Sequence, residues 1–169
     1  MENYEDIVER IDKTEEEEMI NEILIIEDNP GSWEEAVRAA YKELHDRHFV
    51  KESFLQGCME REKIYPTGLM TEVPVAIPHT DSIHVIVPAI CVIRLKDHVL
   101  FRNMESPENE VPAQFVFCMA LKSGDAQIDM LKAILNTAQD KKFLQEAKTE
   151  SLETVRKKLM RRWEVKDYV

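Results

Sequence analysis

The sequence predicts an α/β fold, a three-layer sandwich in which a mixed sheet of about five strands is flanked by helices on both faces. Three observations lead there. Short β-branched apolar runs fill the middle of the chain, amphipathic helix patterns stand both before and after them, and 169 residues at 44% hydrophobic suit a single core. Apolar runs of this kind need cover on both faces, and helices on either side of them in the chain supply it.

Taken in order, residues 1–18 read as an acidic extension, with nine acids against Arg10 and Lys13. Tyr4, Ile7, Val8 and Ile11 lie at helical spacing, and Thr14 to Glu17 offers a capping box. A single domain is expected over 19–169. Residues 22–27 (EILIIE) give the first strand, closed by the turn residues Asp28-Asn29-Pro30-Gly31. Ser32 and Glu35 form a capping box ahead of a helix that buries Trp33, Ala36, Val37, Ala40, Tyr41 and Leu44. A second helix is expected over 51–62, burying Leu55, Cys58 and Met59 and bringing Arg61 to the edge of the turn Tyr65-Pro66-Thr67-Gly68.

Strands follow at 73–77, 85–95 and 113–121, with Pro88 giving the second of these an irregular start or an edge position. Lys96-Asp97-His98 reads as a hairpin loop. After Gly124, the residues Ile128, Leu131, Ile134, Leu135 and Ala138 describe an amphipathic helix, Phe143 and Leu144 open a short one, and a last helix spans 151–162.

The net charge of -11 argues against nucleic acid and anionic lipid as partners, both of which favour clustered Lys and Arg. No apolar run reaches the roughly 20 residues of a membrane helix, and MENYEDIVER is too acidic for a signal peptide, so a cytoplasmic protein without membrane insertion is expected. Cys58, Cys91 and Cys118 stand singly in apolar surroundings and read as buried reduced thiols.

Chemistry concentrates at Ile77-Pro78-His79-Thr80-Asp81-Ser82, where an apolar strand stops at proline and presents a histidine among small polar groups. With an ordinary pKa of roughly 6.5, histidine is largely a neutral nucleophile near pH 7. A satisfied surface histidine is the plain alternative. His79, Asp81 and His84 also permit a metal reading, as do His45 and His48 on a helix end. The motifs GxxxxGK[ST], GxGxxG, GxSxG and HExxH are all absent, so phosphate chemistry here would have to use the protein's own side chain.

The string REKIYPTGLMTEVPVAIPHTD, residues 61–81, resembles the active-site stretch of enzyme IIA proteins of the bacterial sugar phosphotransferase system, in the mannitol/fructose superfamily and its galactitol-type branch. The likeness continues through VPAICVIRL, FVFCMALKSG and QIDMLKAIL. The resemblance implies a phosphohistidine at His79, a supporting arginine at Arg61, the phosphocarrier HPr as donor and an enzyme IIB domain as acceptor, with neither cofactor nor metal. Many members carry a second histidine ahead of the helix after the last long strand, whereas this chain has Gln127, which can donate a hydrogen bond but holds no charge. Thr80, Asp81 and His84 are the remaining neighbours expected around the phosphate. A regulatory version, in which phosphorylation of His79 controls a partner protein, is the alternative that the missing second histidine leaves open, and the transported sugar and oligomeric state are not written in the sequence.

Overall fold

A computed structural model of the chain describes residues 3–6, 20 and 22–165. Most of the acidic extension, including the Thr14–Glu17 capping box, lies outside the described residues. Five strands form one mixed sheet: β1 (Glu22–Asp28), β2 (Gly68–Leu69), β3 (Val75–Ala76), β4 (Ala89–Arg102) and β5 (Glu110–Ala120). Their order is β1-β4-β5-β3-β2, with β1 parallel to β4, β4 antiparallel to β5, β5 parallel to β3 and β3 antiparallel to β2.

Five α-helices cover the sheet among the described residues: α1 (Trp33–Asp46), α2 (Ser53–Ile64), α3 (Gly124–Ala138), α4 (Lys141–Ala147) and α5 (Leu152–Arg162). A 3-10 turn spans Ser82–His84. Strand alternation decides which helices meet which face. Leu24, Cys91, Ile93, Val116 and Cys118 pack against Ala36, Val37, Ala40, Leu44, Phe54 and Cys58 of α1 and α2. Their neighbours Ile23, Ile90, Val92, Phe117 and Met119 pack against Met130, Ile134, Leu144, Val155 and Leu159 of α3, α4 and α5. This is the expected three-layer sandwich.

Local chemistry sets the ends. Ser32 Oγ accepts the Glu35 N–H, while Glu35 reaches back to the Gly31 N–H rather than to Ser32, so the expected box closes one residue early. Ser123, Asp140 and Ser151 cap α3, α4 and α5 in the same way. Trp163 closes the second core, its indole N–H on Thr137 Oγ1 and its ring edge-on to Phe117.

Several boundaries differ from the sequence expectation. The strand expected at 85–95 begins at Ala89, because Pro88 has no N–H to give and the N–H groups of Ile86 and Val87 go instead to the Phe49 carbonyl. It then runs straight through Lys96, Asp97 and His98. These three are the exposed residues of a register shift between Arg94 and Val99, and the hairpin turn lies beyond Arg102. The strand expected at 73–77 shrinks to two residues. On α2 the buried residues are Phe54, Cys58 and Glu62, with Leu55 and Met59 half-buried, and the helix ends at Ile64. On α3 the buried stripe runs through Met130, Ile134 and Ala138, leaving Ile128 exposed.

Edge strand β2 had no visible pattern, being only two residues long. Gly68 makes it possible: a Cβ there would stand 2.5 Å from the Arg102 carbonyl oxygen, so only glycine lets the strand approach β4 and β5.

Candidate functional site

His79 stands at the carboxyl end of β3, the usual place for ligand-contacting groups in α/β sheets. It forms an isolated parallel bridge to Met119 at the end of β5, and the Met119 N–H donates to the Pro78 carbonyl at 3.0 Å. The side chain is half-buried, and its Nδ1 lies 2.8 Å from the carbonyl oxygen of Ile77. A carbonyl only accepts, so Nδ1 must carry the proton. In the neutral ring Nε2 then holds the free lone pair.

Burial pushes the His79 pKa below its ordinary 6.5, the Ile77 carbonyl opposes that shift, the Arg61 cation adds to it and Asp81 opposes it. The net result is a ring held neutral, with a nucleophilic nitrogen, at pH 7.

Arg61 sits in the last turn of α2, half-buried, its guanidinium carbon 5.6 Å from the Tyr65 ring centroid. Its Nε is buried without a hydrogen-bond partner among the described residues. An unpaired buried donor of this kind costs about 1–3 kcal/mol.

The remaining residues expected here divide. Thr80 is buried, and its carbonyl accepts the side-chain amide of Gln127 at 3.1 Å, so Gln127 pins the backbone next to His79. Asp81 is exposed and precedes the 3-10 turn, yet its charge reaches the ring. His84 turns to α2: its Nδ1 is 2.7 Å from Ser53 Oγ and its ring lies over Gly57. A Cβ on Gly57 would stand 2.7 Å from Thr80 Oγ1 and 3.1 Å from the His84 ring, so a glycine is what lets the loop after His79 lie down on α2.

Among the described residues, no three His, Cys, Asp or Glu side chains, His79, Asp81 and His84 included, converge in a way that could hold a metal ion. His45 stacks on Tyr41, and His48 lies past the helix end with φ of 60°. All three cysteines are free and buried.

Sequence reasoning missed Glu62 and Thr67. Glu62 is buried on α2 and its carboxylate accepts the Thr67 N–H at 2.8 Å and the Thr67 hydroxyl at 3.0 Å. Burial lifts its pKa from 4.5 to about 7 against the pull of those two hydrogen bonds and of Arg61. The signal was present: Phe54, Cys58 and Glu62 are spaced by four, which puts a carboxyl group on the apolar face of the helix.

Tyr65, Ile83 and Ile128 are each more than half exposed, and each belongs to a segment already tied to the site. No helix among the described residues is long and apolar enough to cross a membrane.

Fold and site together define a mixed α/β sandwich domain built around one neutral, half-buried histidine at a strand end with an arginine at hand. The chain belongs to the EIIA 2 family of the phosphoenolpyruvate-dependent sugar phosphotransferase system, whose family model matches residues 18–159. The galactitol-specific EIIA component of Escherichia coli K12 is 29% identical over 91 residues, which is 53% of this chain and 60% of that protein's length. Solved structures with the same fold include IIAMTL of Escherichia coli in its complex with phosphorylated IIBMTL, with a TM-score of 0.67 at 23% identity over 81% of this chain and 92% of the other. Nitrogen regulatory protein IIA-Ntr of Neisseria meningitidis shares the fold with a TM-score of 0.57 at 21% identity, over 83% of this chain and 94% of the other.

Proposed function

We propose that this protein is a phosphocarrier of a bacterial sugar phosphotransferase system, taking a phosphoryl group from phospho-HPr on Nε2 of His79 and passing it to an enzyme IIB domain. The observation that carries the proposal is the Nδ1 contact with the Ile77 carbonyl, which leaves Nε2 as the free nucleophile.

In the accepting step the Nε2 lone pair attacks phosphorus in line while the donor's P–N bond breaks. Nδ1 keeps its proton, so the phosphorylated ring is cationic and the Ile77 carbonyl stabilises it. That retained proton matters again in the second step, since a protonated ring is a good leaving group for the acceptor. The three equatorial oxygens of a loose transition state spread negative charge, which the Arg61 guanidinium, whose charge is felt at the His79 ring, stabilises. Gln127 takes the position of the family's second histidine and acts by holding the Thr80 carbonyl, not by charge.

Both partners must bind and leave. The exposed apolar Tyr65, Ile83 and Ile128, on the segments that carry Arg61, His84 and Gln127, are surface suited to transient docking, at the small end of interfaces, about 1,200 Å² or less. Galactitol is a likeness carried by the stretch shared with the galactitol-specific component and not an assignment of the sugar.

Incubation with phosphoenolpyruvate, enzyme I and HPr tests the reading. The wild type is expected to gain one acid-labile phosphate on the peptide containing His79, and to empty on addition of a galactitol-type IIB domain. His79→Ala is expected to keep its fold and gain none. Label retained in that variant overturns the assignment, and a wild type that charges but never empties is a sensor.

A further inference from the structure

Glu62 lies behind the site, buried, and the transfer chemistry above gives it nothing to do. Its hydrogen bonds lead to the histidine. Thr67 Oγ1 has one proton and donates it to the Glu62 carboxyl group, 3.0 Å from either oxygen. That donation leaves the hydroxyl lone pairs facing the Ile77 N–H, which donates to Oγ1 at 3.0 Å. The carbonyl of the same Ile77 accepts Nδ1–H of His79. Residue 77 is therefore held at its N–H by Thr67 and holds the imidazole with its C=O.

A side chain is needed at this point because β3 has already ended. Its ladder stops at Ala76, β2 begins only at Gly68 opposite Ala76, and Pro78 has no N–H to offer. Thr67 thus takes the next rung of the ladder, and Glu62 decides which way the hydroxyl points.

We propose that Glu62 and Thr67 are positioning residues for His79: through the backbone of Ile77 they fix the ring's orientation and its Nδ1–H tautomer, keeping Nε2 aimed at the incoming phosphorus. The rate consequence rests on the phosphocarrier reading; the tautomer consequence does not. Support also comes from the hydrogen-bond balance of Glu62. Both carboxyl oxygens lie 3.0 Å from the Thr67 hydroxyl and one also takes the Thr67 N–H, so the group is held as an acceptor, and these bonds pull against a burial that raises its pKa to about 7. A merely structural buried pair would affect stability alone.

Thr67→Val removes the hydroxyl at constant shape, Glu62→Met removes the carboxyl group, and Thr67→Ser restores the hydroxyl. Long-range 1H-15N NMR of the His79 ring reads the tautomer, and single-turnover phosphorylation by phospho-HPr separates the rate at saturation from the half-saturating concentration. The wild type is expected to hold a single Nδ1–H tautomer with a slowly exchanging Ile77 amide. Thr67→Val and Glu62→Met are expected to show mixed tautomers and a saturated rate lower by about 10- to 100-fold, as when a histidine loses its orienting partner, with half-saturation little changed. Thr67→Ser should recover both readouts.

A mixed tautomer in the wild type overturns the proposal without any variant. So does a folded Thr67→Val or Glu62→Met with the wild-type tautomer. If the wild type accepts no phosphate from HPr, the phosphocarrier reading fails, and the tautomer measurements still decide the positioning role.

Discussion

Replacing Glu62 by glutamine makes neutral at every pH a group whose ionisation the fold resists. The carboxyl titrates near its ordinary 4.5 when unfolded and at about 7 in the folded protein, with burial as the main cause. Between those values the folded state binds the extra proton, so stability falls as pH rises from about 4.5 to about 7 and levels off above. At about 1.4 kcal/mol per pKa unit, the wild type loses about 2 to 3 kcal/mol between about pH 5 and pH 8 from this one group. His79 works in the opposite sense. Its folded pKa is lowered, so stability falls as pH drops below 6.5, but that contribution is common to both proteins and cancels in the comparison. Urea unfolding followed by tryptophan fluorescence at about pH 5 and pH 8 measures the difference, since Trp163 is buried in one core and Trp33 half-buried at the start of α1. Glu62→Gln is expected to gain about 2 to 3 kcal/mol on the wild type from the lower pH to the higher one. Parallel pH profiles for the two proteins would refute the claim that this carboxyl is held neutral by burial.

Three further outcomes follow from the site. Arg61→Ala should slow phosphoryl uptake by about 100- to 1,000-fold, the loss expected for one transition-state donor, and stopped-flow or quench-flow transfer from phospho-HPr reads it; unchanged rates reduce Arg61 to a helix-end cation. Gly57→Ala gains about 1 kcal/mol of helix propensity but drives a methyl to within 2.7 Å of Thr80 Oγ1, and overpacking of that kind costs about 1–3 kcal/mol. Net destabilisation in thermal melts with slower uptake is expected, and a fully active, more stable variant would contradict the close packing of this loop. Because the His79 pKa is lowered, uptake should hold as pH drops through 6.5 and decline only below it, whereas a decline centred at 6.5 or higher would mean a ring that protonates as it would in water.

Much of the fold was legible because periodicity reports burial. EILIIE and the apolar runs of β4 and β5, β-branched and bounded by turn or polar residues, read as strands covered on both faces, and the Ser32-Glu35 signature put the start of α1 where it is. What escaped depended on contacts across the chain. Lys96-Asp97-His98 looks like a turn because it is polar, yet pairing with β5 on either side carries the strand through it as a bulge. β2 is held by Gly68 against the backbone of Arg102, a steric relation invisible to any pattern. At the site, the proline-terminated strand and its histidine stood out in one stretch, as did the arginine once the family resemblance was drawn. Glu62 and Thr67 did not, since the first reads as one more charge in Arg-Glu-Lys and the second as a turn residue, and only tertiary structure joins them to Ile77. His84 and Gln127, the two candidates to stand in for a second histidine, proved to be tied to Ser53 and to the Thr80 carbonyl.

The central claim is that Nε2 of His79 carries the phosphoryl group while Nδ1 keeps its proton on the Ile77 carbonyl. Two-dimensional 1H-15N and 31P NMR of the 15N-histidine-labelled protein, charged by phosphoenolpyruvate, enzyme I and HPr, tests it most directly. Phosphorus coupled to Nε2 of His79, with the Nδ1 proton still in place, is the predicted result; phosphorus on Nδ1, or on another residue, would contradict it.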